Sequence, residues 1–277
     1  MSIASETLVI EPGRADRHYW RDIWRYRELF YVLAWRDVSV RYKQTIIGLA
    51  WAVIRPLLTM IVFTIVFGKL AKLPTEGNAP YALMVFAGLL PWQFFSMALT
   101  ESSGSLISDA NLISKVYFPR LIVPTAAVVV AFVDFLVTLS LLAATMAWYR
   151  FAPGWTLVTL PAFVALAFLA SLGPGLWITA LNVKYRDFRY VIPFIVQFGL
   201  YVSPIGFSSS VVPDEWRLAY SLNPMVGVID GFRWAVLGGE SRVYMPGFLV
   251  SCAVIVFFLW LGIRKFRRME KSFADLI

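Results

Sequence analysis

Two ionisable side chains, Arg55 and Asp134, are set into long apolar stretches, and chemistry would be sought there first. Arg55 stands directly before Pro56 in the run 47–68, and Asp134 lies in the run 121–148. A charge at such depth in a bilayer costs several kcal/mol unless it is paired or wetted. Arg55 could line a pathway and meet an anionic group such as a pyrophosphate. It could instead pair with Asp134, or snorkel to the interface on its aliphatic stem. Aromatic side chains crowd the same stretches: Trp51, Phe63, Phe67, Phe86, Trp92, Phe94, Phe95, Phe198, Tyr201 and Phe207. Aromatic faces stack on sugar rings through C–H groups and let a polymer slide without strict hydrogen-bond registry. The alternative for most of them is an interface belt and lipid-facing filler.

Signatures of catalysis are missing. The chain has no Gly-x-x-x-x-Gly-Lys-Ser/Thr phosphate loop, no Gly-x-Ser-x-Gly, no His-Glu-x-x-His and no paired acidic motif of the metal-dependent lipid-linked transferases. The one His, His18, and the one Cys, Cys252, supply neither a zinc cluster nor an internal disulfide. No metal and no cofactor is expected in this chain.

The elements that must position these residues follow from composition. Of 277 residues, 59% are hydrophobic and only 15% charged, against about 25% charged in soluble domains. Several runs reach the roughly 20 residues that a membrane-crossing helix needs. The expectation is an all-α integral membrane protein with six spans: about 47–68, 80–99, 121–148, 156–181, 191–207 and 244–263. Gly173-Pro174-Gly175 is expected to bend or break the fourth. The fifth, at roughly 17 residues, only just spans. Between it and the last, residues 208–243 carry Asn223-Pro224 and Gly238-Gly239 and are too interrupted to cross, so a re-entrant helical pair is expected.

Before the first span, apolar residues from Leu29 to Ile46 alternate at helical spacing with Arg27, Arg36, Asp37, Arg41 and Lys43. Such a helix, over 26–44, lies along a membrane surface. Residues 1–25 read as a polar arm, 45–263 as the transmembrane domain and 264–277 as a basic tail. Residues 1–28 lack an early apolar core, so the first span is expected to serve as its own uncleaved insertion signal.

Lys and Arg counts set the orientation. They concentrate before the first span, in 100–120, in 182–190 and after 263, so both termini are expected in the cytoplasm. The net charge of +8 is distributed between spans. It therefore reflects orientation and anionic lipid rather than nucleic acid, for which no motif is present.

Four blocks in order resemble a known family. They are Arg41-Tyr-Lys-Gln-Thr-Ile-Ile-Gly-Leu-Ala-Trp-Ala-Val-Ile-Arg-Pro56, Asn111-Leu-Ile-Ser-Lys-Val-Tyr-Phe-Pro-Arg120, Tyr185-Arg-Asp-Phe-Arg-Tyr-Val-Ile-Pro193 with Ser203-Pro-Ile205, and Leu222-Asn-Pro-Met225 with Phe232-Arg233. The chain looks like the membrane subunit of a type-2 ABC exporter of polysaccharides, the O-antigen, capsule and teichoic-acid permeases. Arg55 departs from the neutral residue expected before that proline.

The resemblance implies a homodimer in a bacterial inner membrane, joined by two copies of a cytoplasmic ATPase that bind ATP and Mg. The implied cargo is a lipid-linked, undecaprenyl-type glycan. The helix at 26–44, with Trp35, Arg36, Arg41 and Tyr42, would be a gate helix. The segment around 104–118, with Ser105, Asp109, Asn111 and Lys115, would couple to the ATPase, and Arg186 and Arg189 would face the same side. Arg55, Trp51, Trp92, Phe95, Asp134, Phe198 and Tyr201 are the candidate pathway residues. Export of a drug or small lipid by the same architecture stays open, as does a membrane enzyme acting on lipid-linked sugars.

Overall fold

A computed structural model describes residues 19–43, 46–185, 187–239, 241 and 243–273. Two helices, α1 (Tyr19–Arg25) and α2 (Arg27–Lys43), precede α3 (Ile46–Phe63), which continues as a π-helical turn over Thr64–Leu70. Then come α4 (Tyr81–Ser108), α5 (Ala110–Lys115), α6 (Ile122–Trp148), α7 (Leu160–Lys184), α8 (Phe188–Val202), α9 (Asp214–Tyr220), α10 (Pro224–Val236) and α11 (Met245–Glu270). No strand forms among the described residues.

Five helical stretches are long and apolar enough to cross a membrane: 53–70, 81–108, 122–148, 155–184 and 245–270. The expected fifth span is shorter than anticipated. At 15 residues, α8 rises about 22 Å, short of a hydrocarbon layer of about 30 Å. Beyond Val202 the chain turns irregular at Ser203-Pro204.

The bundle is built around α4, whose side chains from Leu83 to Leu90 are almost fully buried. It packs against α6 and α7 and also touches α3, α8 and α10. Lipid is as apolar as leucine, so association here comes from close packing and interhelical polar bonds rather than from expelled water. The Phe94 ring supplies such packing, with centroids 5.7 Å from Phe132, 5.4 Å from Phe135 and 6.2 Å from Phe168. These contacts join α4 to α6 and α7. Polar stitches run beside them: Thr179 Oγ1 donates to the Ser102 carbonyl at 2.8 Å, and Asn182 Nδ2 to that of Ser103 at 2.8 Å.

Three boundaries differ from expectation. Gly173-Pro174-Gly175 neither breaks nor ends α7, which runs unbroken from Leu160 to Lys184. The glycines serve approach instead: a Cβ at Gly173 would lie 2.6 Å from the Leu259 backbone nitrogen of α11. The second span does not stop near Leu99. Its polar continuation stays helical to Ser108, with the Thr100, Ser103 and Ser105 hydroxyls satisfied by carbonyls three or four residues back. The basic tail also continues α11 as helix to Glu270. Before α2, Tyr19 of the arm is buried in a small satellite core with Leu33, Phe118 and Phe266.

Candidate functional site

Helix α2 is held to the bundle by charge. Arg36 Nη2 donates to both Asp109 oxygens, at 3.0 and 3.1 Å, and so ties the helix to the turn between α4 and α5. Its Nε donates to Asp37 Oδ1 at 2.7 Å, which fixes the guanidinium plane. One turn and more further on, Arg41 reaches Asp134 Oδ2 at 3.2 Å and Glu101 Oε1 at 3.6 Å. Tyr42 donates its hydroxyl to Asp134 Oδ1. Burial, and then the Asp134 carboxylate, push the Tyr42 hydroxyl above the ordinary phenol range, so it stays protonated as a donor.

Asp134 therefore does not pair with Arg55. Arg41 and Tyr42 of α2 occupy both its oxygens, and the Arg55 side chain is exposed on α3. Of the other gate-helix residues, Trp35 is exposed and stacks with Tyr31 at 6.3 Å.

The coupling candidates gather at one turn. Ser105 is buried and bonded to the Ser102 carbonyl at 2.7 Å, Asp109 holds Arg36, and Asn111 and Lys115 stand exposed on α5 while Ile113 anchors it. Arg189 is exposed at the start of α8, and Arg186 lies outside the described residues.

The pathway candidates divide. Trp92 and Phe95 are buried against each other with centroids 5.4 Å apart. Trp51, Phe198 and Tyr201 are exposed. On α8, Tyr190, Phe194, Phe198 and Tyr201 recur at helical spacing as one open aromatic stripe, with Phe194 and Phe198 stacked at 5.9 Å. The opposite face seats on α4, where Gly199 leaves room for the Trp92 ring.

A second cluster forms where α8 ends. Arg233 of α10 is fully buried and donates to three carbonyls: Ile205 at 2.7 Å, Phe207 at 2.9 Å and Met84 at 3.1 Å. Glu76 Oε1 lies 3.8 Å away. Gly88 makes the room, since a Cβ there would meet the guanidinium at 2.7 Å. Asn223 caps α10 by accepting from the Met225 backbone N–H and donates Nδ2 to Ser203 Oγ at 3.0 Å. Tyr81 donates to the Gly206 carbonyl and Tyr220 to that of Val202. Thus within Ser203–Phe207 the carbonyls of Ile205, Gly206 and Phe207 are satisfied by side chains from α4 and α10, while the Ser203 and Ile205 N–H groups donate to the Gly199 and Ser203 carbonyls. Sequence reading named Arg233 only within the fourth block of the resemblance, beside Phe232, and gave it no role. The available signal was an arginine inside the apolar run 225–236, too short to cross and so bound to bury it.

A family described as the ABC-2 type transporter matches residues 28–237, a range that takes in all but the first residue of α2, the turn between α4 and α5, and Arg233. The chain belongs to the ABC-2 transporter family. Relatives extend the likeness beyond that range. An O-antigen export system permease from Myxococcus xanthus is 26% identical over 93% of this chain and 98% of its own length. One from Klebsiella pneumoniae is 26% identical over 90% and 95%, and a polysialic acid transport protein from Escherichia coli 22% over 86% and 92%. As an ABC-2 permease, the chain is a multi-pass membrane protein whose relatives are transport subunits.

Proposed function

We propose that this permease forms the membrane path of an ATP-driven exporter carrying a lipid-linked polysaccharide across a bacterial inner membrane. Two copies pair, each with one copy of a cytoplasmic ATPase that binds ATP and Mg. The observation that carries the reading is likeness over nearly the whole chain to O-antigen export permeases. The geometry supplies a route for the work. The exposed face of α5 receives the ATPase, and the Arg36–Asp109 bond passes its movement to α2, the gate helix. Arg41 and Tyr42, through Asp134, lead the same movement into α6. The open aromatic stripe of α8, with Trp51 and Arg55 on α3, offers rings for sugar and a cation for phosphate. The distribution of basic residues supports both termini in the cytoplasm, with α9–α10 as the external re-entrant pair.

Deleting the chain tests the reading. Lipid-linked glycan should accumulate inside the cell, and the chain should co-purify with an ATPase carrying a phosphate loop. Intact surface glycan without accumulation would overturn the cargo. Accumulation of a drug or of a small lipid would point to the sister reading of the same architecture.

A further inference from the structure

The end of α11 carries a basic groove that none of the steps above uses. Trp260, Arg264 and Arg268 recur at four-residue spacing near the end of α11, with Arg267 beside them and Lys271 at its C-cap. Together with Trp20 of α1 they line a groove of about 900 Å³. That volume is within the range of small-molecule sites. No acidic side chain lines it among the described residues. The nearby Glu270 bonds away from the groove: its Oε1 accepts from the Arg120 backbone N–H at 2.7 Å, and its carbonyl from Arg120 Nη1 at 2.6 Å.

Two guanidinium groups are already oriented. Arg264 lies over the Trp260 ring at 5.0 Å, and Arg267 over Tyr19 at 4.6 Å. For Arg264, stacking uses the guanidinium face, and the edge N–H groups of a stacked guanidinium suit phosphate oxygens. On the other side the groove runs into exposed apolar surface of the same span, Val256, Phe257 and Trp260. A ligand filling both parts must be anionic at one end and oily at the other. Two exposed tryptophans, Trp20 and Trp260, line the groove, and indoles favour the headgroup level.

We propose that this groove is a binding site for the phosphate of an anionic phospholipid in the cytoplasmic leaflet. The headgroup bridges Arg264 and Arg268, and an acyl chain follows Phe257 and Val256. The site stands apart from the aromatic stripe of α8, and only the choice of leaflet rests on the orientation proposed above. Bound lipid would brace α1 against α11, and so steady the start of the gate helix.

The test purifies the chain in phosphatidylcholine nanodiscs containing about one-fifth phosphatidylglycerol and counts retained lipid by native mass spectrometry. Nanodiscs expose both leaflets, so a wrong orientation would not hide the site. Wild type should retain phosphatidylglycerol over phosphatidylcholine. Arg264→Gln and Arg268→Gln should each lower that retention about fivefold. A charge-matched control, Lys69→Gln or Lys72→Gln alone, should keep it. Equal loss in the control would reduce the effect to general surface charge and overturn the site. Unchanged retention in both arginine variants would do so as well. Displacement by a polyprenyl diphosphate at the same mole fraction would reassign the groove to transported lipid.

Discussion

Replacing Asp134 with Asn isolates the junction between α2 and the bundle. The native carboxylate accepts the Tyr42 hydroxyl and lies 3.2 Å from Arg41 Nη2. A hydrogen bond to a charged partner contributes about 1.5–3 kcal/mol in soluble proteins, whereas interhelical bonds in membranes average about 0.6 and reach about 1.7. The Arg41 side chain is 30% exposed, so its ion pair adds no more than about 1 kcal/mol. Asparagine retains a neutral, weaker bond to Tyr42. The net loss is then about 1–2 kcal/mol, which shifts the docked-to-undocked ratio of α2 by about 5–30-fold. Hydrogen exchange of the permease in nanodiscs reads this directly. Amides over residues 36–43 should exchange faster by that factor, while those of α4 stay unchanged. Tyr42→Phe should accelerate the same amides, and the double variant should fall short of the sum because both changes remove one bond. Unaltered exchange in Asp134→Asn, or effects that simply add, would refute the assignment of Asp134 as the anchor of α2.

Three further outcomes follow from other contacts. Arg55→Ala should reduce surface glycan while leaving assembly with the ATPase intact, and normal surface glycan would return Arg55 to an interfacial role. Gly173→Leu forces a side chain onto the Phe258–Leu259 backbone of α11, where overpacking costs about 1–3 kcal/mol or more; size-exclusion profiles should lose the monodisperse species, and a wild-type profile would show that α7 and α11 can separate. Arg233→Met withdraws donors from three carbonyls and should cost between about 2 kcal/mol at membrane values and about 5 at soluble ones. Thermal denaturation in detergent should report a lowered midpoint, and Arg233→Lys should rescue little because one ammonium lacks the planar fork.

Much of the architecture was legible in linear order because a bilayer imposes a simple rule: long apolar runs must be helices that satisfy their own backbone. That rule located α3, α4, α6, α7 and α11, and the helix expected over 26–44 forms as α2 over Arg27–Lys43. The ends were less legible. Ser and Thr at 100–105 read as a loop by composition, but each hydroxyl is absorbed by the preceding turn, and α4 continues. Gly173-Pro174-Gly175 read as a break by local propensity. It stays helical because α11 rests against it, and tertiary contact outweighs propensity.

The candidate site divides along the same line. Residue type and spacing alone determined that the chain is a membrane protein, that it lacks catalytic motifs and that four ordered blocks resemble one transporter family. Only the tertiary structure decided which charges meet. Arg55 and Asp134 are 79 positions apart in sequence, and nothing in that separation tells whether they touch. Folding brings Arg41 and Tyr42 to Asp134 instead, and it carries Arg233 into the bundle to hold Ser203–Phe207. The physical reason is that a buried charge is satisfied by whichever partner the packing delivers. Burial is written in the apolar runs, but the choice of partner is written in the way helices far apart in sequence pack together.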